Sequence, residues 1–115
     1  MQLQVRGRNI ELTEALRAHV ERRLQFALSR FGQRIGRVLV RLADVNGPRG
    51  GDDKSCHVDV NLFPSGKVLV EDLDADLYAA IDRAAERVGR SVVRELERER
   101  EFNATVVKAY GGKVR

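Results

Sequence analysis

The chain has one cysteine, one methionine, two prolines and no tryptophan, and only 5% of its 115 residues are aromatic. Each scarcity excludes something. A single thiol, Cys56, cannot close an internal disulfide or build a multi-cysteine zinc site. It fits a reducing compartment, so the expected location is cytoplasmic. No run of about 18 apolar residues is present, which excludes a membrane-spanning helix. The stretch from Met1 to Ile10 lacks the apolar segment of a signal peptide. Spacing places Phe26, Phe31 and Tyr78 near the helix cores, leaving only Phe63 and Tyr110 free. An aromatic platform for stacking single-stranded bases is therefore not expected, and recognition of structured RNA by shape and backbone fits better.

What the chain has is charge. One third of the residues are Asp, Glu, Lys or Arg, and the net charge is +4. Seventeen of the 21 basic residues are arginine, the side chain suited to planar, bidentate phosphate contacts. The balance is uneven along the chain. Residues 1–41 carry +6, residues 42–101 carry −5, and residues 102–115 carry +3.

The hydrophobic pattern changes period along the chain. Leu3 and Val5 alternate with Gln2, Gln4 and Arg6, as in a half-buried strand. Gly7 to Asn9 reads as a turn. Thr13 reads as a helix N-cap, followed by Leu16, Val20, Leu24, Ala27 and Phe31 at helical spacing up to Gly32. From Ile35 the period becomes two, with Val38, Val40 and Leu42 on one face and Arg37, Leu39 and Arg41 on the other. A glycine-rich loop, 46–54, precedes a second alternation, Cys56, Val58, Val60 and Leu62. Pro64-Ser65-Gly66 is a hairpin turn, and Lys67 to Glu71 is a further strand. Asp72 to Asp76 reads as an acidic helix start. Leu77, Ile81, Ala84, Ala85, Val88 and Val92 form the stripe of a long second helix to about Arg100.

This order predicts an α+β, two-layer β-α-β-β-β-α sandwich. A four-stranded mixed sheet carries both helices on one face. Strand, helix, strand implies a right-handed crossover between parallel neighbours, and the later strands follow as antiparallel hairpins. Gln4, Arg37, Arg41, Asp59, Asn61 and Lys67 are expected on the open face. One domain spans 1–101. Residues 102–115 form a tail that frays as disordered chain, or in which Ala104 to Tyr110 adds a strand.

A helical projection sorts the charges. Arg83, Arg87, Arg90 and Arg94 lie within about 60° of one another on one flank of the second helix, with Arg98 extending the row. Asp82 and Glu86 fall on the opposite flank. Like charges four apart destabilise a helix by about 0.2–0.5 kcal/mol per pair, so a row of this kind points to an anionic ligand. Arg22 and Arg23 project outward from the first helix. Side by side on one sheet face, the two helices would present all six arginines on a single phosphate-binding plane.

Two strings add a resemblance. Asp76-Leu77-Tyr78-Ala79-Ala80-Ile81-Asp82 resembles the D-[ML]-Y-A-A-I-D helix start of the ribosome hibernation-promoting factor and ribosome-associated inhibitor family. Met1-Gln2-Leu3-Gln4-Val5 and Asn9-Ile10-Glu11-Leu12-Thr13-Glu14-Ala15-Leu16-Arg17 resemble its opening. The likeness runs in order over residues 1–100. It implies a fold like that of double-stranded-RNA-binding domains. It also implies binding in the decoding channel of the small ribosomal subunit, with Arg22, Arg23, Arg83, Arg87, Arg90 and Arg94 facing rRNA and excluding mRNA and tRNA. The chain resembles a short form of the family, without a self-dimerising second domain. No cofactor, small-molecule substrate or membrane is implied.

Enzyme chemistry is not expected. His19 and His57 lie on different elements, and Cys56 falls on the inward side of its strand as a structural thiol. Asp52, Asp53 and His57 match no metal-ligand spacing. Gly50-Gly51 lacks the ending of a phosphate-cradling P-loop. Tyr78 is expected to pack on the first helix. The alternative to RNA is a protein-interaction regulator, whose arginine row docks an acidic partner or whose open sheet face offers an apolar patch around Leu39, Phe63 and Leu69.

Overall fold

The computed structural model describes residues 1–45 and 53–109. Four strands and two α-helices follow in the order β1 (Gln2–Arg8), α1 (Glu14–Leu28), β2 (Ile35–Asp44), β3 (Lys54–Leu62), β4 (Lys67–Asp74) and α2 (Leu77–Ala109). The sheet runs β1-β2-β3-β4. β1 and β2 are parallel, with Val5 opposite Val40, and the remaining pairs are antiparallel. The expected fold class is observed, and β1 and β2 are parallel neighbours as expected.

The alternations read from the sequence decide which sheet face is covered. Val38, Val40, Leu42, Cys56, Val58, Val60, Val68 and Val70 are buried under the helices. Leu16, Val20, Leu24 and Leu28 of α1 meet them, as do Ile81, Ala84, Ala85, Val88 and Val92 of α2. Gln4, Arg37, Arg41 and Lys67 stand exposed on the other face. The two helices approach closely at Gly89, where a Cβ would come within 3.3 Å of the Ala27 carbonyl oxygen. A larger side chain there would push the helices apart.

Caps fix the helix starts. Thr13 accepts from the Leu16 amide at 3.1 Å, as its N-cap position requires. Asp76 does the same for α2, accepting from the Tyr78 amide at 3.0 Å. After Leu28 the chain tightens into a 3-10 segment, Ser29–Arg34, kinked where Gly32 takes φ +57°. Arg34 then ties three elements together. Its Nη2 donates to both Glu99 oxygens, at 2.9 and 3.0 Å, and its Nε donates to the Phe63 carbonyl.

Two boundaries differ from expectation. Asp72 and Asp74 belong to β4 rather than to a helix start. The reason is tertiary, since both carboxylates turn toward α2 and receive arginines from it. The second helix also continues past Arg100 to Ala109, so residues 104–109 extend a helix and add no strand. Tyr110 and the rest of the tail, like residues 46–52, lie outside the described residues.

Candidate nucleic-acid interface

The six arginines predicted to share one plane divide according to what each already holds. Arg83 is anchored to the end of β4. Its Nε donates to Asp72 Oδ1 at 3.0 Å, and its Nη2 donates to Asp74 Oδ2 at 2.8 Å and to the Leu73 carbonyl at 2.9 Å. Arg87 reaches the same corner, with Nη1 at 2.7 Å from the Glu71 carbonyl and 3.1 Å from Asp72 Oδ2. Asp72 is only 11% exposed. Desolvation pushes its pKa up, but the Arg83 and Arg87 hydrogen bonds outweigh that, and the net shift is downward. The Asp74 carboxyl is also lowered, first by the Asp76 amide and then by Arg83. The two aspartates raise the Arg83 pKa in turn.

Arg23 is drawn to the other side of α2 by charge, without hydrogen-bond geometry. Its Nε lies 3.2 Å from Asp82 Oδ1, which also takes His19 Nε2 at 2.7 Å. Asp82 therefore staples α1 to α2, on the flank opposite the arginine row as the projection required. Tyr78 stacks edge-on against His19, with ring centroids 4.8 Å apart, and so packs on the first helix as expected. Arg90 pairs with Glu86 across one exposed helical turn at 3.0 Å. Glu86 therefore borders the arginine row and does not lie on the opposite flank as expected, because residues four apart are only about 40° apart on a helix. Arg94 donates only to the Ser91 hydroxyl, at 3.2 Å. Arg22 is exposed and, like Arg94, has no carboxylate partner among the described residues.

The outer helical surface thus carries Arg22 on α1 and Arg94 on α2 without carboxylate partners among the described residues, and Arg90 with one weak pair. Arg23, Arg83 and Arg87 border it while holding the structure together. Sequence reasoning missed a further feature of this face. Phe26, expected near the helix core, is 82% exposed. It lines a cleft of about 360 Å³ between the helices, together with Arg23, Arg30, Glu86 and Arg90. Its spacing of two from the buried Leu24 put it on the outer side of α1, which the apolar side chain obscured.

The other candidate sites do not assemble. His57 is bound by Glu71 at 2.8 Å, and Asp53 by Lys54 at 3.0 Å. No group of three metal-ligating side chains comes together among the described residues. Asp52 lies outside them. Cys56 is buried, and burial, followed by the Asp72 charge, pushes its thiol up to about 12. No helix among the described residues is long and apolar enough to cross a membrane.

Comparison with known proteins agrees with the fold. The chain is 36% identical over 92 residues to a ribosome hibernation promotion factor of Deinococcus radiodurans, covering 77% of this chain but only 46% of that protein. This chain therefore spans about half the length of that relative. It is 33% identical over 99 residues to the ribosome hibernation promoting factor of Salmonella typhimurium, covering 85% of this chain and 96% of that one. The structure matches the N-terminal domain of Thermus thermophilus Protein Y with a TM-score of 0.66 at 38% identity, over 82% of this chain and 98% of that one. It shares the fold of a ribosomal subunit interface protein from Coxiella burnetii, with a TM-score of 0.71 at 18% identity, over 84% and 99% of the two chains. The family model described as Sigma 54 modulation protein / S30EA ribosomal protein matches residues 3–100, and the chain belongs to that family.

Proposed function

We propose that this chain is a ribosome hibernation factor that silences translation by occupying the small subunit. Its helical face lies against rRNA in the decoding channel, and its bulk excludes mRNA and tRNA. The mechanism is steric and needs no catalytic group. The observation that carries the reading is that Arg22 on α1 and Arg94 on α2 are exposed and, among the described residues, hold no carboxylate, in a chain whose family model is described as Sigma 54 modulation protein / S30EA ribosomal protein. Arg90 joins them when a phosphate displaces Glu86, because an exposed i,i+4 pair is worth only about 0.3–0.5 kcal/mol. Arg23, Arg83 and Arg87 add positive potential at the rim and set the helices in place.

The protein-docking alternative has less support. Phe63 and Leu69 are 65% and 66% exposed. In register, however, Asp59 stands between Leu39 and Leu69, and it holds Lys67 at 3.5 Å. The apolar groups are therefore separated by charge.

The test is co-sedimentation with isolated small subunits across a salt series, with and without mRNA and tRNA. Binding should weaken with salt and be displaced by mRNA and tRNA. Arg22→Glu/Arg94→Glu should abolish it while leaving the melting temperature unchanged, since neither side chain holds a carboxylate. Undiminished binding by that variant would overturn the helical-face reading.

A further inference from the structure

The open face of the sheet carries charge that the helical face does not account for. On β1, Arg6 and Arg8 point away from the core that receives Leu3 and Val5. Arg6 lies opposite Arg41 in the parallel register, and Arg41 lies opposite His57 on β3. Like charges directly opposite one another destabilise a sheet, so this pairing needs a counter-charge. The described residues do not supply one. Glu71, next in the same cross-strand row, is bound to His57 at 2.8 Å. Asp44 and Asp53 hold Lys54, at 3.3 and 3.0 Å. Among the described residues, Arg6, Arg8 and Arg41 have no carboxylate partner. They are also not spread over a convex surface. With Ser55 and His57 they line a cleft of about 440 Å³ at the β1–β2–β3 corner.

We propose that this cleft is a phosphate-binding site, taking phosphate groups from an RNA strand or from a free nucleotide. Several guanidinium forks converging on one concavity match a group with three or four acceptor oxygens better than a two-oxygen carboxylate. The apolar side chains of Ala43 and Val45 at its wall lower the local dielectric and strengthen the attraction. A bound phosphate would relieve the Arg6–Arg41 repulsion that the empty sheet tolerates. This site lies on the sheet face opposite the helices, so it stands or falls independently of the helical-face reading.

The test uses the intact chain with two probes. One is a labelled 12-nucleotide single-stranded RNA followed by anisotropy, and the other is ATP followed by calorimetry. Each is titrated into the wild type, Arg6→Gln/Arg41→Gln and Arg22→Glu/Arg94→Glu. The sheet-face variant should lose at least tenfold in affinity for whichever probe binds the cleft. With RNA, its log–log salt slope should fall by about 1.4, two contacts at roughly 0.7 each. An effect on RNA without saturable ATP binding assigns the site to a strand. Saturable ATP binding that the variant abolishes assigns it to a free nucleotide. Unchanged affinity for both probes overturns the proposal. So does a melting temperature lower by more than about 5 °C, because the arginines would then be structural. Loss in the helical variant alone overturns this proposal, and loss in the sheet variant alone supports it, while the small-subunit assay decides the helical face separately.

Discussion

Replacing Arg83 by glutamate tests how the β4–α2 junction is held. Arg83 spans Asp72, Leu73 and Asp74, with donor–acceptor distances of 2.8–3.0 Å. An exposed ion pair contributes about 0.2–1 kcal/mol, while removing one partner of a fully buried pair costs about 3–5 kcal/mol. This network lies between those limits, because Asp72 is 11% exposed and Arg83 is 48% exposed. Charge reversal also sets a third carboxylate beside two aspartates. The expected loss is roughly 5–10 °C in melting temperature for a domain of this size. Thermal melts followed by far-ultraviolet circular dichroism at pH 7 measure it. A double-mutant cycle of Arg83→Gln with Asp72→Asn should give a coupling of at least about 1 kcal/mol. Arg83→Glu melting within about 2 °C of the wild type would refute the reasoning. The same argument constrains any binding assay. Reversing Arg83, Arg87, Arg90 and Arg94 together would lose binding partly by weakening the fold.

Two further outcomes follow from the same corner. Asp72 and Asp74 titrate below the usual carboxylate range in the folded chain, so their contribution is complete above the unfolded value of about 3.9 and is lost as pH falls through the folded values. Melting temperature should therefore drop below about pH 4, and Asp72→Asn should flatten that drop; an equally steep drop in the variant would contradict the assignment. Cys56, buried opposite Asp72 in the β3–β4 register, should react with iodoacetamide at pH 8 more than about 10³-fold slower than in the unfolded chain, and rapid labelling in native buffer would show that the sheet opens.

Much of the fold was readable because the period of the apolar residues changes where the elements change. Val38, Val40 and Leu42 alternate, while Leu16, Val20 and Leu24 recur every four residues, and each pattern buries one face only. The junction at Asp72 to Asp76 was not readable in this way. Locally, an acidic run before an apolar stripe is a helix start, and Asp76 does cap α2. Asp72 and Asp74 instead continue the strand because arginines 9–15 residues later fold back onto them. No window of sequence shows that pairing. The same cause hid the split within the arginine row. Projection gives the direction of a side chain but not what meets it there. It placed Asp82 on the correct flank without showing that Arg23 and His19 would converge on it.

That split changes what the formal charge of the helical face means for a ligand. A phosphate approaching Arg83 competes with two carboxylates and a carbonyl already at hydrogen-bond distance. Taking the guanidinium from them would cost part of the β4–α2 junction. A phosphate approaching Arg90 displaces one exposed glutamate, and at Arg22 or Arg94 it displaces no carboxylate. Counterion release counts the cations that a phosphate actually neutralises, about 0.7–0.9 in log–log salt slope for each. Six fully engaged arginines would give a slope near −4 to −5, whereas Arg22, Arg90 and Arg94 alone give about −2 to −3. The measured slope for the small subunit therefore distinguishes a face that binds with its whole arginine row from one in which half the row holds the protein together. A slope near −5 would mean that rRNA draws Arg83 and Arg87 away from Asp72. Asp72→Asn, which frees them beforehand, would then tighten binding.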